Sequence, residues 1–285
     1  MLGSYNFPYI TPPGLFLVAM DINSLKLIYF SPTQTTKRVI ESIAQGVQIA
    51  TIEHVDLTPP DAGMRGIPEM HDELAIIGSP VYIGRLPTDA IPRLRRLKGN
   101  DTPAVIVVVY GNRAYEDALL ELKDLVLEAG FKPVAAGAFI GEHSLSRSAT
   151  PIAAGRPDVE DLRKAKEFGK MIHKKIRNMR APGETTLLQV PGNFPYREPP
   201  ALPKISPVTQ ETVCIKCEKC VLVCPTAAIT VRETVVTDRS VCIRCCACIK
   251  NCPTGARIME DPGIRQKAEQ LSKDCRTRKE PETYV

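Results

Sequence analysis

Two stretches of near-continuous Val and Ile decide the fold of this chain: "ELAIIGSPVY" (73–82) and "PAVIVVVYG" (103–111). Strands have such near-continuous apolar sequences when helices cover both faces of a parallel sheet, because neither face is then exposed to water. Working outward, three further strands are predicted at "LKLIYF" (25–30), "QIATIEHVDL" (48–57) and "FKPVAAGAFIG" (131–141). The sequence therefore predicts five strands in one sheet.

Helix-like segments separate the predicted strands. The segment 36–47 places Val39, Ile43 and Val47 on one helical face. Further helices are predicted at 87–98, 114–130 and 158–179. Strands that alternate with helices predict an α/β fold, here a doubly wound, five-stranded parallel sheet.

The proline and cysteine contents of the 285 residues change along the chain. Residues 181–207 hold seven prolines, which predicts a stiff, extended linker. All ten cysteines follow that linker, between Cys214 and Cys275. In chain order we predict an N-terminal extension (1–23), the α/β domain (24–180), the proline-rich linker (181–206), a small α+β cysteine-rich domain (207–262) and a polar C-terminal tail (263–285).

Charge and hydropathy exclude several classes of protein. The net charge of +5 is mild, and no apolar run approaches the roughly 18 residues of a membrane span. No Lys or Arg precedes "GLFLVAM" (14–20), so no secretory signal is expected, and Met20 is an alternative start. Basic runs such as "RLRRLK" (93–98) predict a solvated surface or a docking face for an acidic protein. No motif for nucleic-acid binding is present.

The cysteines form an internal repeat. "VCIKCEKCVLVCPTAAI" (213–229) and "VCIRCCACIKNCPTGARI" (241–258) both carry C-x2-C-x2-C-x3-C-P, offset by 28 residues. Thiolates are ligands that suit iron–sulfur clusters, and in this spacing the fourth cysteine of each run ligates the other cluster. Structural zinc is the alternative, but it needs four ligands, commonly as two separated C-x2-C pairs. Eight cysteines in two tandem runs favour clusters.

The repeat predicts two 4Fe-4S clusters. The first ligand set is Cys214, Cys217, Cys220 and Cys252, and the second is Cys242, Cys245, Cys248 and Cys224. Two short segments after the prolines, "AAITV" and "ARIME", are predicted to pair as strands. Cys246 is predicted to be a small packing residue and not a ligand, and Cys275 has no evident partner.

This cysteine-rich region resembles bacterial two-cluster ferredoxins over residues 207–261, with all eight ligand positions matching. Together with the preceding α/β domain, the chain resembles the flavodoxin–ferredoxin fusion family over residues 20–261. The resemblance implies that FMN binds at the carboxyl ends of the strands, where the strand order reverses.

Three loops carry the flavin part of the resemblance. The flavodoxin phosphate loop has the form S/T-x-T-G-x-T, and "SPTQTT" (31–36) places hydroxyls at its first, third and sixth positions. A helix N-terminus behind such a loop favours a phosphate. Gln34 departs from the pattern, since a small residue is usual there. The candidate residues in the phosphate loop are Ser31, Thr33, Gln34, Thr35 and Thr36.

The other two loops are predicted to flank the flavin ring. The loop after the third strand offers Ser79, Val81, Tyr82, Ile83 and Gly84, and the loop after the fourth offers Gly111, Asn112 and Arg113. His143 follows the fifth strand, where it either tunes the flavin or is a structural histidine.

These features predict an electron-transfer flavo-iron–sulfur protein with FMN, two 4Fe-4S clusters and redox proteins as partners. One alternative is an FMN-dependent reductase of a small acceptor such as a quinone, a nitro compound or oxygen. Another is a ferredoxin whose flavodoxin-like domain is empty and serves only for docking. The sequence shows no candidate for a covalent nucleophile and no pair of carboxylates, so catalysis at an acid–base site is not indicated. Reduced thiols and labile clusters predict a cytoplasmic location.

Overall fold

The computed structural model describes residues 22–179, 188–200 and 203–285. Most of the predicted N-terminal extension, including Met20, and parts of the predicted linker lie outside these residues. The main sheet contains β1 (Ser24–Tyr29), β2 (Thr51–Asp56), β3 (Glu73–Pro80), β4 (Thr102–Tyr110), β5 (Phe131–Ile140) and β10 (Glu282–Tyr284). Its strand order is β10-β5-β4-β3-β1-β2. The first five strands run parallel in the flavodoxin-like order, so the predicted fold class is confirmed.

Helices cover both faces of this sheet: α1 (Thr35–Val47), α2 (Ile91–Leu94), α3 (Ala118–Glu128) and α4 (Val159–Asn178). The side chains of β4 alternate between two apolar clusters. Val105 and Val107 pack with α1 and α4, whereas Ile106 and Val108 pack with α2 and α3. Every residue of β4 is buried. The run of Val and Ile in the sequence is thus explained by burial on both faces.

Two glycines allow α1 and α4 to cross closely. A Cβ atom on Gly46 would lie 2.0 Å from the carbonyl oxygen of Lys166, and one on Gly169 would lie 2.1 Å from the carbonyl oxygen of Ile43. Any side chain at either position would force the helices apart. The contact fixes α1, and with it the loop that precedes the helix, over the sheet.

The part of the predicted linker at 188–200 packs along the α/β domain. The backbone N–H groups of Asn193 and Arg197 donate to the carboxylate of Asp117, at 2.9 and 2.8 Å. The hydroxyl of Tyr196 donates to Asp124 in α3 at 2.6 Å. These residues form no helix or strand, and the α/β domain holds them through backbone N–H groups and the Tyr196 hydroxyl, which the prediction of a stiff, extended linker did not anticipate.

The cysteine-rich region contains short elements: β6 (Val208–Thr209), α5 (Lys219–Leu222), β7 (Ile229–Val231), β8 (Val235–Thr237), α6 (Ala247–Lys250) and β9 (Arg257–Ile258). The predicted pairing of "AAITV" with "ARIME" is wrong. Instead β7 pairs with β8 as a hairpin, and β9 pairs with β6 from before the first cysteine. The first repeat thus ends in a strand whose partner follows at once, whereas the strand that ends the second repeat pairs with a strand that precedes both repeats.

The segment predicted to be a polar tail is ordered into two elements. Helix α7 (Pro262–Asp274) begins at Asp261, whose side chain accepts from the N–H of Ile264. Strand β10 then pairs antiparallel with β5, joining Glu282 to Ala138 and Tyr284 to Ala136. The sheet consequently has six strands, and residues that follow the cysteine-rich region complete its edge.

Among the described residues, no helix combines the length and apolar character that a bilayer crossing demands.

Candidate functional site: two cysteine-lined cavities beside three sheet loops

The cysteines of the two predicted ligand sets lie around two separate cavities. Cys214, Cys217, Cys220 and Cys252 line one cavity. Cys224, Cys242, Cys245 and Cys248 line the other, together with Cys246. We call these the first and the second cavity. No three His, Cys, Asp or Glu side chains in the described ranges converge as they would around a single metal ion. Two thiol-lined cavities suit polynuclear clusters, which are larger than one ion.

The backbone of each repeat contains left-handed residues at the same two positions. Lys216 and Glu218 have φ values of 50° and 59°, and the equivalent Arg244 and Cys246 have 55° and 59°. Left-handed residues between right-handed neighbours form concave nests of N–H groups, which bind anions and iron–sulfur clusters. None of these residues is glycine, so the ligand loops hold four strained conformations that an anionic occupant would stabilise.

Hydrogen bonds to sulfur follow the same symmetry. The N–H of Ala228 donates to the sulfur of Cys224 at 3.2 Å. Thr226 and Thr254 place their hydroxyls 3.7 and 3.8 Å from the sulfurs of Cys224 and Cys252. Burial acts against ionisation of Cys252, but the N–H of Arg257 and the groups of Thr254 lower the pKa of that thiol overall. Burial instead raises the pKa of the thiols of Cys220, Cys242, Cys245 and Cys248. Because thiolates are the form that ligates metal, cluster binding would displace the protons of these buried thiols.

The phosphate loop after β1 has a geometry that fits an anion. Gln34 has a φ of 64°, the left-handed conformation that glycine usually supplies, and its side-chain amide donates to the carbonyl of Ser31 at 3.1 Å. The Gln34 side chain thus turns back onto its own loop. The Thr36 hydroxyl is completely buried and has no hydrogen-bond partner among the described residues. A ligand phosphate would satisfy that group.

The remaining hydroxyls of the phosphate loop are partly engaged. The Ser31 hydroxyl accepts from the N–H of Lys37 at 3.1 Å, which closes the first turn of α1. The hydroxyls of Thr33 and Thr35 lie 3.4 Å apart. Thr58, which the sequence did not single out, accepts from the N–H of Ser31 at 2.8 Å. The hydroxyl of Thr58, which follows β2, therefore helps to fix the backbone of the phosphate loop.

The loop after β3 forms a tight turn. Ile83 and Gly84 have φ values of 56° and 79°, and Tyr82 and Arg85 exchange backbone hydrogen bonds across the turn. The N–H of Val81 donates to the carbonyl of Val109. The predicted main-chain donors of Val81 and Tyr82 are thus already used within the protein. The Ser79 side chain is fully buried and donates to the carbonyl of Pro80 at 3.2 Å.

The loop after β4 holds the C-terminal residues. Asn112 is 3 % exposed, and its side chain donates to the carbonyls of Cys275 and Thr277 at 2.8 and 2.9 Å. Its oxygen accepts from the N–H of Lys279 at 3.2 Å. Arg113 pairs with Glu116 at 2.6 Å, and Gly111 packs against His143. Asn112 therefore has a structural task that the sequence did not indicate, and its role beside a flavin ring stays a prediction.

Comparison with known proteins identifies the cysteine-rich region. Residues 213–256 match the model of the 4Fe-4S dicluster domain. The segment is thus similar to domains that carry two 4Fe-4S clusters, and we refer to the cysteine-rich region as the dicluster domain. The match supports cluster ligation over zinc. No curated protein matches the chain.

Solved structures resemble the α/β part of the chain. A flavodoxin from the domain Archaea is 15 % identical, with a TM-score of 0.37, over 54 % of this chain and 99 % of its own. A flavodoxin from Fusobacterium nucleatum, bound to flavin mononucleotide, is 13 % identical, with a TM-score of 0.36, over 53 % of this chain and 98 % of its own. Rubredoxin oxygen:oxidoreductase from Desulfovibrio gigas is 12 % identical, with a TM-score of 0.37, over 54 % of this chain and 36 % of its own.

The dicluster domain docks on the α/β domain through the second cavity. Ile243, between two cysteines of that cavity, packs on the same apolar cluster as Val81 from the loop after β3. Arg93 donates to the carbonyl of Pro225, next to Cys224, at 2.6 Å. The same guanidinium donates to the carbonyl of Leu57 at 2.7 Å. These contacts hold the second cavity against the α/β domain at α2 and the residues after β2.

The first cavity lies on the more exposed side of the dicluster domain. Cys217 is exposed, whereas Cys224, Cys245 and Cys248 of the second cavity are buried. Ile215 and Leu222 beside it are 64 % and 80 % exposed. One cavity therefore lies at the domain junction and the other at the surface.

The two additional cysteines and His143 have structural surroundings. Cys246 is 2 % exposed, and burial raises the pKa of its thiol to about 12, which keeps it protonated. Cys275 follows α7 and packs with Ile152 in a small apolar cluster. Burial, reinforced by Arg113, lowers the pKa of His143 to about 4, and its Nδ1 accepts from the N–H of Leu145 at 3.1 Å. His143 is therefore neutral at physiological pH.

Proposed function

We propose that the protein is an electron carrier that relays electrons between FMN, held by the α/β domain, the two 4Fe-4S clusters and a redox partner protein. A flavin exchanges one or two electrons and each cluster exchanges one, so the combination suits a conversion between two-electron and one-electron partners. The observation that carries the proposal is the position of the second cavity at the domain junction. Arg93 of α2 donates to the carbonyl of Pro225 beside Cys224, and Ile243 packs on the apolar cluster of the α/β domain that Val81 also contacts.

The protein's own contribution is to hold these groups in a fixed arrangement. The four thiols of each predicted ligand set and the left-handed nests between them would hold the clusters. The hydroxyl of Thr36 and the N-terminus of α1 would hold the flavin phosphate. Burial of the second cavity excludes water at the junction, while the exposed first cavity leaves a surface for a partner. Thiols that must stay reduced fit a cytoplasmic setting.

Electron counting tests this proposal. Anaerobically purified protein titrated with dithionite should take up about four electrons per chain, because the flavin accepts two and each cluster accepts one. Removal of the flavin should leave about two. An uptake of about two electrons in protein that was incubated with FMN and then freed of unbound flavin would support the alternative of an empty flavodoxin-like domain and contradict the relay.

The phosphate site has its own test. Thr36→Val removes the buried hydroxyl with little change in shape, and the loss of one hydrogen bond to a charged group should weaken FMN binding about tenfold. Riboflavin lacks the phosphate, so its affinity should not change. Thr88→Val, at an exposed hydroxyl outside the loop, is the control. Fluorescence titration measures all affinities, and equal losses for FMN and riboflavin would contradict the assignment.

A further inference from the structure

Arg257 breaks the symmetry of the cysteine repeat. The offset of 28 residues that relates the two runs places Arg257 at the position of Ile229. Ile229 is an apolar core residue of the first repeat. Arg257 is just as buried, at 2 % exposed, and it is among the largest fully buried side chains of the protein. A guanidinium thus occupies a place where the repeat predicts an aliphatic side chain.

The contacts of the Arg257 guanidinium are neutral oxygens and one cysteine sulfur. Nη1 donates to the hydroxyl of Thr209 at 2.6 Å, and Nη2 donates to the hydroxyl of Thr237 at 2.7 Å and the carbonyl of Pro207 at 3.0 Å. Nη2 also lies 3.9 Å from the sulfur of Cys248. A buried charge with only neutral oxygens around it is costly unless an anion compensates it.

Arg257 borders both ligand sets. It lines the first cavity, while its guanidinium faces Cys248 of the second. Its Nε is buried and has no hydrogen-bond partner within the described part of the chain. A cluster held by four thiolates is an anion, and reduction adds a further negative charge. Both cavities would therefore supply the compensation that the Arg257 contacts lack.

We propose that Arg257 sets the reduction potentials of both clusters, raising each because its buried positive charge favours the reduced, more negative form. Net charge and hydrogen bonds to sulfur are established determinants of cluster potential, and the low dielectric of the interior strengthens the effect. The inference rests on the assignment of the two ligand sets and does not require a flavin or a partner protein.

Variants that separate charge from shape test the role of Arg257. Arg257→Gln and Arg257→Ile remove the charge, and the isoleucine is the residue that the first repeat carries. Arg257→Lys retains the charge. Arg232→Gln, at an exposed position in the turn between β7 and β8, is the matched control. Each variant of the full chain is purified anaerobically, its iron is counted, and both clusters are titrated by EPR at defined potentials.

We expect both midpoint potentials to shift to more negative values in Arg257→Gln and Arg257→Ile, and to stay near those of the parent in Arg257→Lys and Arg232→Gln. Unchanged potentials in the neutral variants would overturn the proposal, as would an equal shift in the lysine variant. If the neutral variants lose iron while the lysine variant keeps it, Arg257 serves cluster assembly, and the proposal also fails. These readouts are independent of the electron count that tests the flavin relay.

Discussion

The attachment of the C-terminal residues to the loop after β4 depends on Asn112. Its three hydrogen bonds reach the backbone of Cys275, Thr277 and Lys279. At about 1 kcal/mol net for each bond, the side chain stabilises the attached segment by about 3 kcal/mol. Glycine is the informative replacement because Asn112 has a φ of 64°, which glycine adopts without strain. Asn112→Gly therefore removes the contacts without adding a backbone penalty in the folded state.

Hydrogen exchange measures this loss directly. About 3 kcal/mol corresponds to a factor of about one hundred in the opening equilibrium, so the amides of β10 should lose about two orders of magnitude of protection. Asn100→Gly is the control, since the exposed side chain of Asn100 makes one hydrogen bond within the described ranges, to His71. Unchanged protection of residues 282–284 in Asn112→Gly would refute the reasoning. A loss of FMN affinity with unchanged protection would instead support the flavin-binding role predicted for Asn112.

Two further predictions concern the cysteines and the buried histidine. Cys245→Ala should lower the iron content from about eight to about four atoms per chain, whereas the adjacent Cys246→Ala should keep about eight, and equal losses would contradict the ligand assignment. The pKa of His143 is about 4 in the folded protein, below the ordinary value of 6.5, so the unfolded chain binds the proton more readily and stability falls as pH drops below about 6.5. Between pH 7 and pH 5 the parent should lose about 2 kcal/mol more than His143→Asn in denaturant unfolding, and parallel pH profiles would contradict the buried, neutral state.

The features that the sequence predicted correctly are those with a strong local signal. Residues 103–110 form a buried strand because nearly every side chain there is apolar, and this is visible without any knowledge of neighbours. The cysteines of each predicted ligand set line one cavity, and the three from a single run are brought together by the short loops between them. The ligand assignment itself stays a prediction.

The features that the sequence did not predict depend on distant partners. Helix α7 buries only Ala268 and Leu271, which is too weak a pattern to indicate packing. Nothing near Asn112 shows that the backbone of residue 275 will meet it. The wrong pairing of "AAITV" with "ARIME" assumed that the repeats pair with each other, but β8 lies closer in sequence to β7 and forms a hairpin with it. The departure of Arg257 from the repeat was a visible signal.

The return of the chain to β5 makes the dicluster domain an insertion rather than an appendage. Both of its ends lead into the α/β domain, one through the 188–200 contacts with α3 and the other through α7 and β10. A domain tethered at two points cannot swing away as one on a single linker can, so the distance between the second cavity and the sheet loops is fixed. A chain cut after residue 180 would also leave the edge of β5 unpaired, and unpaired edges promote aggregation. The flavodoxin-like part should therefore be expressed together with the residues that close its sheet.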